Sequence, residues 1–488
     1  MFKTIKDKIK RDSDYPQRQY DIDVLTRVLD GVLYDVMEYD FHQEKTDGLG
    51  EYIPLRQRRP SVRYPLCKIV VDDSVSLLFS EGHFPAIACK DEATRDALAS
   101  IVKESKLNEV MIDAATRGSV GSVAILLRVL GKRVFFKVFN TQFLTPVWQT
   151  EAPDTLEKVI EQYKVKGQVL KDAGYPVEAT DIEAFFWFRR EWTMDEETWF
   201  EPVKIVAGSE IKFIRDAARS VKHDLGFVPM VWVKNLPGGT DIDGKPTFPA
   251  EAIDTQIEID YQLSQGGRAL KYAGDPTLMI KEPAVDAEGS MVKGGANALV
   301  VSGEGDAKLL EISGTATQAV IDYVKALREF ALEGAHGNRS NADKLSAAQS
   351  GRAMELMMQS LIWLADKLRI SYGEGALLEL LCMIVKARKQ FPLVLKDGTE
   401  IPELNTSEPI SLRWPKWFAP TQADQQIQAD TLTNLREGGL ISRETAVATI
   451  APGYDIADPA DEIKRIEADP PAPNIKGNEQ TPKLNPDD

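Results

Sequence analysis

Across residues 22–41 apolar side chains (Val24, Leu25, Val28, Leu29, Val32, Leu33, Val36 and Met37) recur at three- and four-residue steps, which predicts an amphipathic helix. A polar break, HQEKTDGLGEY, follows. Residues 69–79 are apolar enough for helix or strand, and periodicity does not choose between them. Gly82 and Pro85 punctuate the end of that segment. Residues 91–117 again have helical spacing and stop at Gly118. The run GSVGSVAILLRVLGKRVFFKVFNTQFLTPVW then sets β-branched and aromatic residues on either side of Gly131, Lys132 and Arg133, the pattern of a hairpin. Strand-like text continues through AFFWFRREWTMDEETWFEPV to FVPMVWVKN. Residues 1–248 therefore read as a mixed α/β body rich in antiparallel strands.

The pattern changes at LPGGTDIDGKPTFP. Residues 250–272 follow as one helix, roughly 35 Å long at 1.5 Å per residue, with Pro249 at its start. Its apolar content is thin (Ile253, Ile257, Tyr261, Leu263 and Leu270), so it is expected to lie outside the core of a monomer. Residues 275–313 read as a small β module with turn-forming Gly289, Gly294, Gly295, Gly303 and Gly305. Residues 315–333 return to helix, with Val320, Val324, Leu327 and Ala331 on one stripe. A polar loop over 334–351 turns helical near 343–349. Residues 353–388 are apolar on most faces, which predicts a helix buried all round, with a bend or break at Gly373 and Gly375. A strand at 409–417 and a helical pair follow, the second helix starting at Ser442 with Glu444 in its first turn. The Pro-rich end is expected to be disordered.

Charge changes the picture. Among 488 residues, Asp and Glu outnumber Lys and Arg by 75 to 59, a formal charge of −16. A protein whose main task is gripping phosphate usually carries a net basic surface. An acidic wall is nonetheless compatible with a polyanion sliding past it. Cys67, Cys89 and Cys382 are scattered, and no pair has metal-ligand spacing, so a reducing compartment without disulfides is expected. His42, His83, His223 and His336 are isolated, which argues against a zinc site. The start lacks a signal-peptide apolar run, and no segment approaches the roughly 20 apolar residues of a membrane span. No cofactor or membrane contact is expected.

No catalytic constellation stands out. A Walker A loop is absent, and GSVGS at 118–122 is not a nucleophile elbow. Its glycines are assigned to a turn or to close packing. Asp72 and Asp73 are neighbours and point apart on any regular element. Asp241-x-Asp243-Gly244 opens like a calcium loop without the Glu that would close it, so an acidic turn is expected. Met354, Met357 and Met358 fit adaptable packing.

Three segments, in this order, resemble phage portal proteins of the long-tailed type: GSVGSVAILLRV after a helix; helix, β module, helix, polar loop and long apolar helix over 250–388; and FAPTQADQQIQADTLTNLREGGLISRETAVATIAPGYDIADPADEIKRIEAD near the end. The resemblance implies an α+β portal fold and a ring, commonly of about twelve copies. It places a wing over 1–248, stem helices over 249–273 and 315–336, and a clip over 274–314. A tunnel loop over 337–345, a long kinked wing helix and strand over 346–418, crown helices over 419–468 and a tail over 469–488 complete it. The implied partners are double-stranded DNA in transit, the terminase large subunit, a head-completion or adaptor protein, and the major capsid and scaffold proteins. The implied place is the virion vertex, after assembly in the host bacterial cytoplasm.

The residues that would then face DNA are Asn338, Arg339, Ser340, Asn341 and Lys344 in the tunnel loop and Arg268, Lys271, Lys325 and Arg328 on the stem, the arginines and lysines among them being sparse cations for weak phosphate contacts. The alternative for each cation is a solvated or ion-paired side chain. About twelve copies sum to roughly −190 charges, enough to repel phosphates and keep DNA mobile. Two other functions stay open at this point: another ring-forming adaptor or collar protein, and an enzyme whose site forms only in three dimensions. Chain length and the helix–sheet–helix order favour the portal.

Overall fold

The computed structural model describes residues 1–48, 50–206, 208–274, 277–283, 301–310, 315–337, 351–405, 407–418, 422–451, 456 and 459–468. By contact the chain divides into two units, residues 1–342 with 355–417, and residues 343–354 with 418–488.

The first unit opens with α1 (Phe2–Lys6) and α2 (Gln17–Leu29). The helix predicted over 22–41 is corrected to 17–29. Gly31 adopts φ +73°, and a 3₁₀ turn at Leu33–Val36 and strand β1 (Tyr39–Asp40) carry the remainder. The spacing misled because Leu33, Tyr34 and Met37 are buried in the same core as Val24 and Val28 but from a different backbone. Strand β2 (Arg58–Arg59) pairs parallel with β1. The ambiguous segment at 69–79 is helix α3 (Leu66–Phe79), nine of whose side chains are buried.

After β3 (Ala86–Ala88), the helix predicted over 91–117 is two helices. These are α4 (Glu92–Glu104) and α5 (Leu107–Gly118), parted at Lys106 with φ +51°. The Asp91 carboxylate caps α4 by accepting from the Thr94 N–H at 3.1 Å. The predicted hairpin forms from β4 (Ser122–Leu130) and β5 (Arg133–Asn140), with Leu130 opposite Arg133. Its turn residues Gly131 and Lys132 take φ +56° and +65°, the primed turn that suits strand twist.

Next come β6 (Leu144–Trp148), β7 (Leu156–Lys166), α6 (Gly167–Asp172), β8 (Phe185–Trp192), β9 (Glu196–Phe200), β10 (Val203–Lys204), β11 (Arg215–Lys222) and β12 (Met230–Lys234). They complete two sheets: β12-β4-β5, and β11-β9-β8-β7-β6 with β10 beside β8. Every pairing in both is antiparallel. Between them sits a small core of Ala124, Leu126, Phe139, Val159, Trp192 and Met230. A larger core joins α2 to α5 with the other face of β4.

Helix α7 (Ala250–Gly274), the antiparallel ribbon of β13 (Thr277–Pro283) and β14 (Val301–Leu310), and α8 (Thr315–Gly334) follow. The apolar segment then forms α9 (Gly351–Met357), α10 (Gln359–Leu368), a π-helical stretch (Arg369–Leu378) and α11 (Glu379–Gln390). Of the bend or break expected at Gly373 and Gly375 the break is corrected, and so is burial all round. The helical path widens through Gly373 and Gly375 without breaking, and the interruption lies at Met358. A Cβ on Gly373 would sit 2.4 Å from Trp414 Cζ2, so this glycine makes room for an indole. Nor is the segment buried all round, for Leu356, Trp363 and Ile370, seven residues apart, are 60%, 56% and 68% exposed. Gly373→Ala should cost about 1–3 kcal/mol by overpacking, read as a lowered urea midpoint at unchanged m. An unaltered midpoint would mean that Trp414 is free to move aside.

The strand expected at 409–417 is shorter, β15 (Ser411–Arg413), and pairs with β3. In the second unit lie α12 (Gln422–Glu437), α13 (Arg443–Ile450) and α14 (Pro459–Ala468). Ser442 caps α13 as expected, accepting from the Thr445 N–H at 3.1 Å. The helix expected near 343–349 and the tail after residue 468 lie outside the described residues.

Candidate functional site on the paired helices

Helices α7 and α8 pack side by side, and the body holds the start of one and the end of the other. At the start of α7, Asp254 accepts from the chain's terminal ammonium at 3.1 Å and from the Phe2 N–H at 2.9 Å. Two residues on, Gln256 accepts from the Cys67 N–H at 2.9 Å, satisfying an otherwise unpaired amide of the first turn of α3. Ile253, Ile257 and Tyr261 are buried, and the Tyr261 hydroxyl donates to the Arg58 carbonyl at 2.9 Å. The sequence placed this helix outside the core, and for residues 252–264 that is corrected. Few apolar residues suffice because its polar ones are bonded.

Asp260 is the sharpest case. Its carboxyl group is fully buried, accepting from the Tyr34 hydroxyl at 2.7 Å and the Tyr64 N–H at 2.6 Å. Burial pushes it up to about 7, against the pull of those two hydrogen bonds and of Arg63. Burial likewise raises the Cys67 thiol to about 12, with Asp260 adding to the effect. The sequence carried a usable signal here. Asp260 falls three residues after Ile257 and seven after Ile253, on the apolar stripe where an unpartnered carboxylate would not be tolerated.

Beyond residue 264 the helix leaves the core. A Cβ on Gly266 would stand 3.3 Å from Val320 Cγ1, so the glycine lets α8 approach closely. Leu270 and Lys271 are exposed. Arg268 is ion-paired with Glu44. On α8, Lys325 pairs with Asp322 at 3.7 Å. Arg328 is partly buried near Asp73, whose carboxyl is raised by burial and by Asp72 and lowered by Arg328. The four stem cations thus divide into two with a carboxylate partner, one turned toward α3 and one, Lys271, on the surface. Asn338, Arg339, Ser340, Asn341 and Lys344 lie outside the described residues. The last described residue before them, Gly337, is buried; a Cβ there would meet Leu332 at 2.7 Å and Val70 at 3.1 Å.

Ile321, Tyr323 and Phe330 on α8 are exposed, Phe330 by 70%. A long apolar side chain left in water on a helix that already has one neighbour marks a contact surface when others join it.

A second constellation ties the long helix to the body. Asn235, fully buried after β12, accepts from the Tyr372 hydroxyl at 3.0 Å through its side-chain oxygen. Its amide donates to the Lys245 carbonyl at 2.9 Å and to the Thr247 hydroxyl at 3.0 Å. Its main-chain carbonyl accepts from the Ser371 hydroxyl at 2.6 Å. Nothing in the sequence pointed to this joint.

The acidic turn is an ion-pair anchor, with Asp243 held by the Arg18 guanidinium and the Ser122 hydroxyl. Among the described residues no group of His, Cys, Asp and Glu has metal-holding geometry, and no helix is long and apolar enough to cross a membrane. The three cysteines carry free thiols.

A family model described as phage portal protein, SPP1 Gp6-like, matches residues 5–470. The chain belongs to that family. It is therefore a portal protein, a head-to-tail connector component of a phage virion, with a mixed α and β fold. No curated protein matches it. Two solved structures align with it at 12% identity, each over 79% of this chain and 88% of the other. One is described as the neck of an empty gene transfer agent particle computed with C6 symmetry, at a TM-score of 0.40. The other is the virion of a native gene transfer agent particle, at 0.38.

Proposed function

We propose that this portal protein is one subunit of a closed ring, of about twelve copies, that forms the DNA channel at the unique capsid vertex. The terminase motor packages the genome through it, and the genome later leaves by the same route. Residues 1–248 form the wing, α7 and α8 the stem, β13 and β14 the clip that meets terminase and then a head-completion protein, and α12 to α14 the crown. Major capsid and scaffold proteins surround it, assembly takes place in the host bacterial cytoplasm, and the ring has no catalysis of its own.

One observation carries the proposal beyond family membership. The paired helices expose Leu270, Ile321, Tyr323 and Phe330 while their roots are fully packed. Such a surface is stable in water when further copies cover it. Phe330→Glu is therefore expected to shift the assembled mass toward the monomer, about tenfold or more in assembly concentration, with the monomer's thermal midpoint unchanged. Assembly unaffected by this change would remove α8 from the subunit contact.

In the channel, Arg339 and Lys344 supply weak, salt-labile phosphate contacts. Neutralising both should alter packaging in a way that fades as ionic strength rises. A defect of equal size at every salt concentration would overturn direct phosphate contact.

A further inference from the structure

A cavity of about 900 Å³ opens in the wing, away from the paired helices, with walls drawn from both sheets. Helix α6 and the Phe391–Pro392 segment that follows the long helix close two of its sides. Its size falls within the range of small-molecule sites, and its character matches theirs, since Tyr163, Phe188, Trp192 and Trp199 make a largely aromatic wall. Strand alternation explains the lining. Phe188, Arg190 and Trp192 are two apart on β8, so all three face the same way.

The charged groups of the lining are mostly of one sign. Six of its residues are cationic, and one, Glu197, is acidic. The arginines are already committed. Arg190 pairs with Glu161 at 2.6 Å and Glu197 at 3.2 Å and lies between the Trp192 and Trp199 rings, 4.4 and 4.6 Å from their centroids. Arg128 shares Glu197 at 2.7 Å, and Arg219 pairs with Asp216 at 3.2 Å. Lys132, Lys137 and Lys222 have no carboxylate partner among the described residues.

Three buried polar groups of the wall are also unpartnered, the His223 Nε2 among them. Trp192 is fully buried, and its indole N–H has no acceptor; the hydroxyl of Tyr175, nine-tenths buried, has no partner. An indole N–H can only donate, and a buried donor left unpaired is costly. The three lysines are exposed and unpaired with carboxylates, so an anionic head can meet them without displacing an ion pair.

We propose that this cavity binds a small amphipathic organic anion, its apolar or aromatic body against the Tyr163–Phe188–Trp199 wall and its carboxylate, sulfonate or phosphate head among the exposed Lys132, Lys137 and Lys222. The site is independent of the channel. It gives the wing a ligand whose occupancy couples the two sheets, because both contribute walls.

Titration of the full-length protein with 1-anilinonaphthalene-8-sulfonate, with dodecanoate and dodecanol as competitors, tests this. Expected are a single saturable site per chain, a change in tryptophan emission, and displacement by dodecanoate at about tenfold lower concentration than by dodecanol. Lys137→Glu/Lys222→Glu should weaken dye binding about tenfold or more, with thermal midpoint and assembled mass unchanged. Val165→Trp, which fills the cavity from β7 without touching its charge, should abolish the site and keeps the test open should the double variant misfold. Non-saturable binding, equal affinity in the variants, or equal displacement by the neutral alcohol would overturn the proposal. So would binding by monomers that vanishes in assembled protein, since the cavity would then belong to a contact between copies. Mass measured on the same samples separates failure of this site from failure of ring assembly.

Discussion

Replacing Gly118 by alanine is expected to cost roughly 3–5 kcal/mol of folding stability, a large share of what a domain has to lose. The new Cβ would lie 2.1 Å from the Tyr372 hydroxyl and 3.0 Å from Val123 Cγ1. Neither neighbour has room to move. Tyr372 is fully buried, and its hydroxyl is held by Asn235, which is itself fixed by Lys245, Thr247 and Ser371. The substitution thus overpacks the core and breaks a buried hydrogen bond at once. Tyr372→Phe alone should cost about 1–2 kcal/mol, because it leaves the Asn235 oxygen without its donor. The double variant should be well short of the sum, since removing the phenol oxygen removes the closest clash. Equilibrium denaturation of the four proteins reads this directly, and strict additivity would mean that the two residues do not meet.

The second large effect depends on pH. Asp260 titrates near 7 in the folded chain against an ordinary value of 3.8 when unfolded. A carboxyl raised on folding binds its proton more tightly in the native state, so its contribution is complete below pH 4. It is lost progressively as pH rises toward 7 and is flat above that. The gap corresponds to about 4 kcal/mol as an upper bound. Asp260→Asn keeps the bond from the Tyr64 N–H on its amide oxygen and reverses the other, its amide nitrogen donating to the Tyr34 hydroxyl oxygen, without a charge to bury. The variant should match the parent at or below pH 4, draw ahead as pH rises from there, and exceed it by a few kcal/mol at pH 8. Parallel stability profiles for the two proteins would show that the carboxylate is solvated at the root of α7.

What the sequence revealed, and what it hid, follows the range of each interaction. The β4–β5 hairpin was legible because turn chemistry and alternation are local, and Gly131 and Lys132 take the backbone angles that such a turn needs. The extents of α7 and α8 were legible for the same reason. The packing role of Gly118 was also legible in kind, but not its partner, which lies far along the chain in Tyr372. Burial of α7 was misread because the groups that satisfy Asp260 are 226 and 196 residues away in sequence. Helix α2 was overextended because buried residues after Gly31 kept a helical rhythm without a helical backbone. The exposed Leu356, Trp363 and Ile370 were misjudged because composition does not distinguish an apolar residue on the surface of a helix from one in the core. The cavity left no trace in the sequence, since its walls come from strands that meet only in the fold.

A mass measurement of the assembled protein, paired with an image of the particle along its axis, tests the ring most directly. The expected result is an annular species of about twelve subunits with an open centre. A single compact subunit at every concentration and salt would contradict it, because Phe330 and the exposed face of the long helix would then need no neighbour.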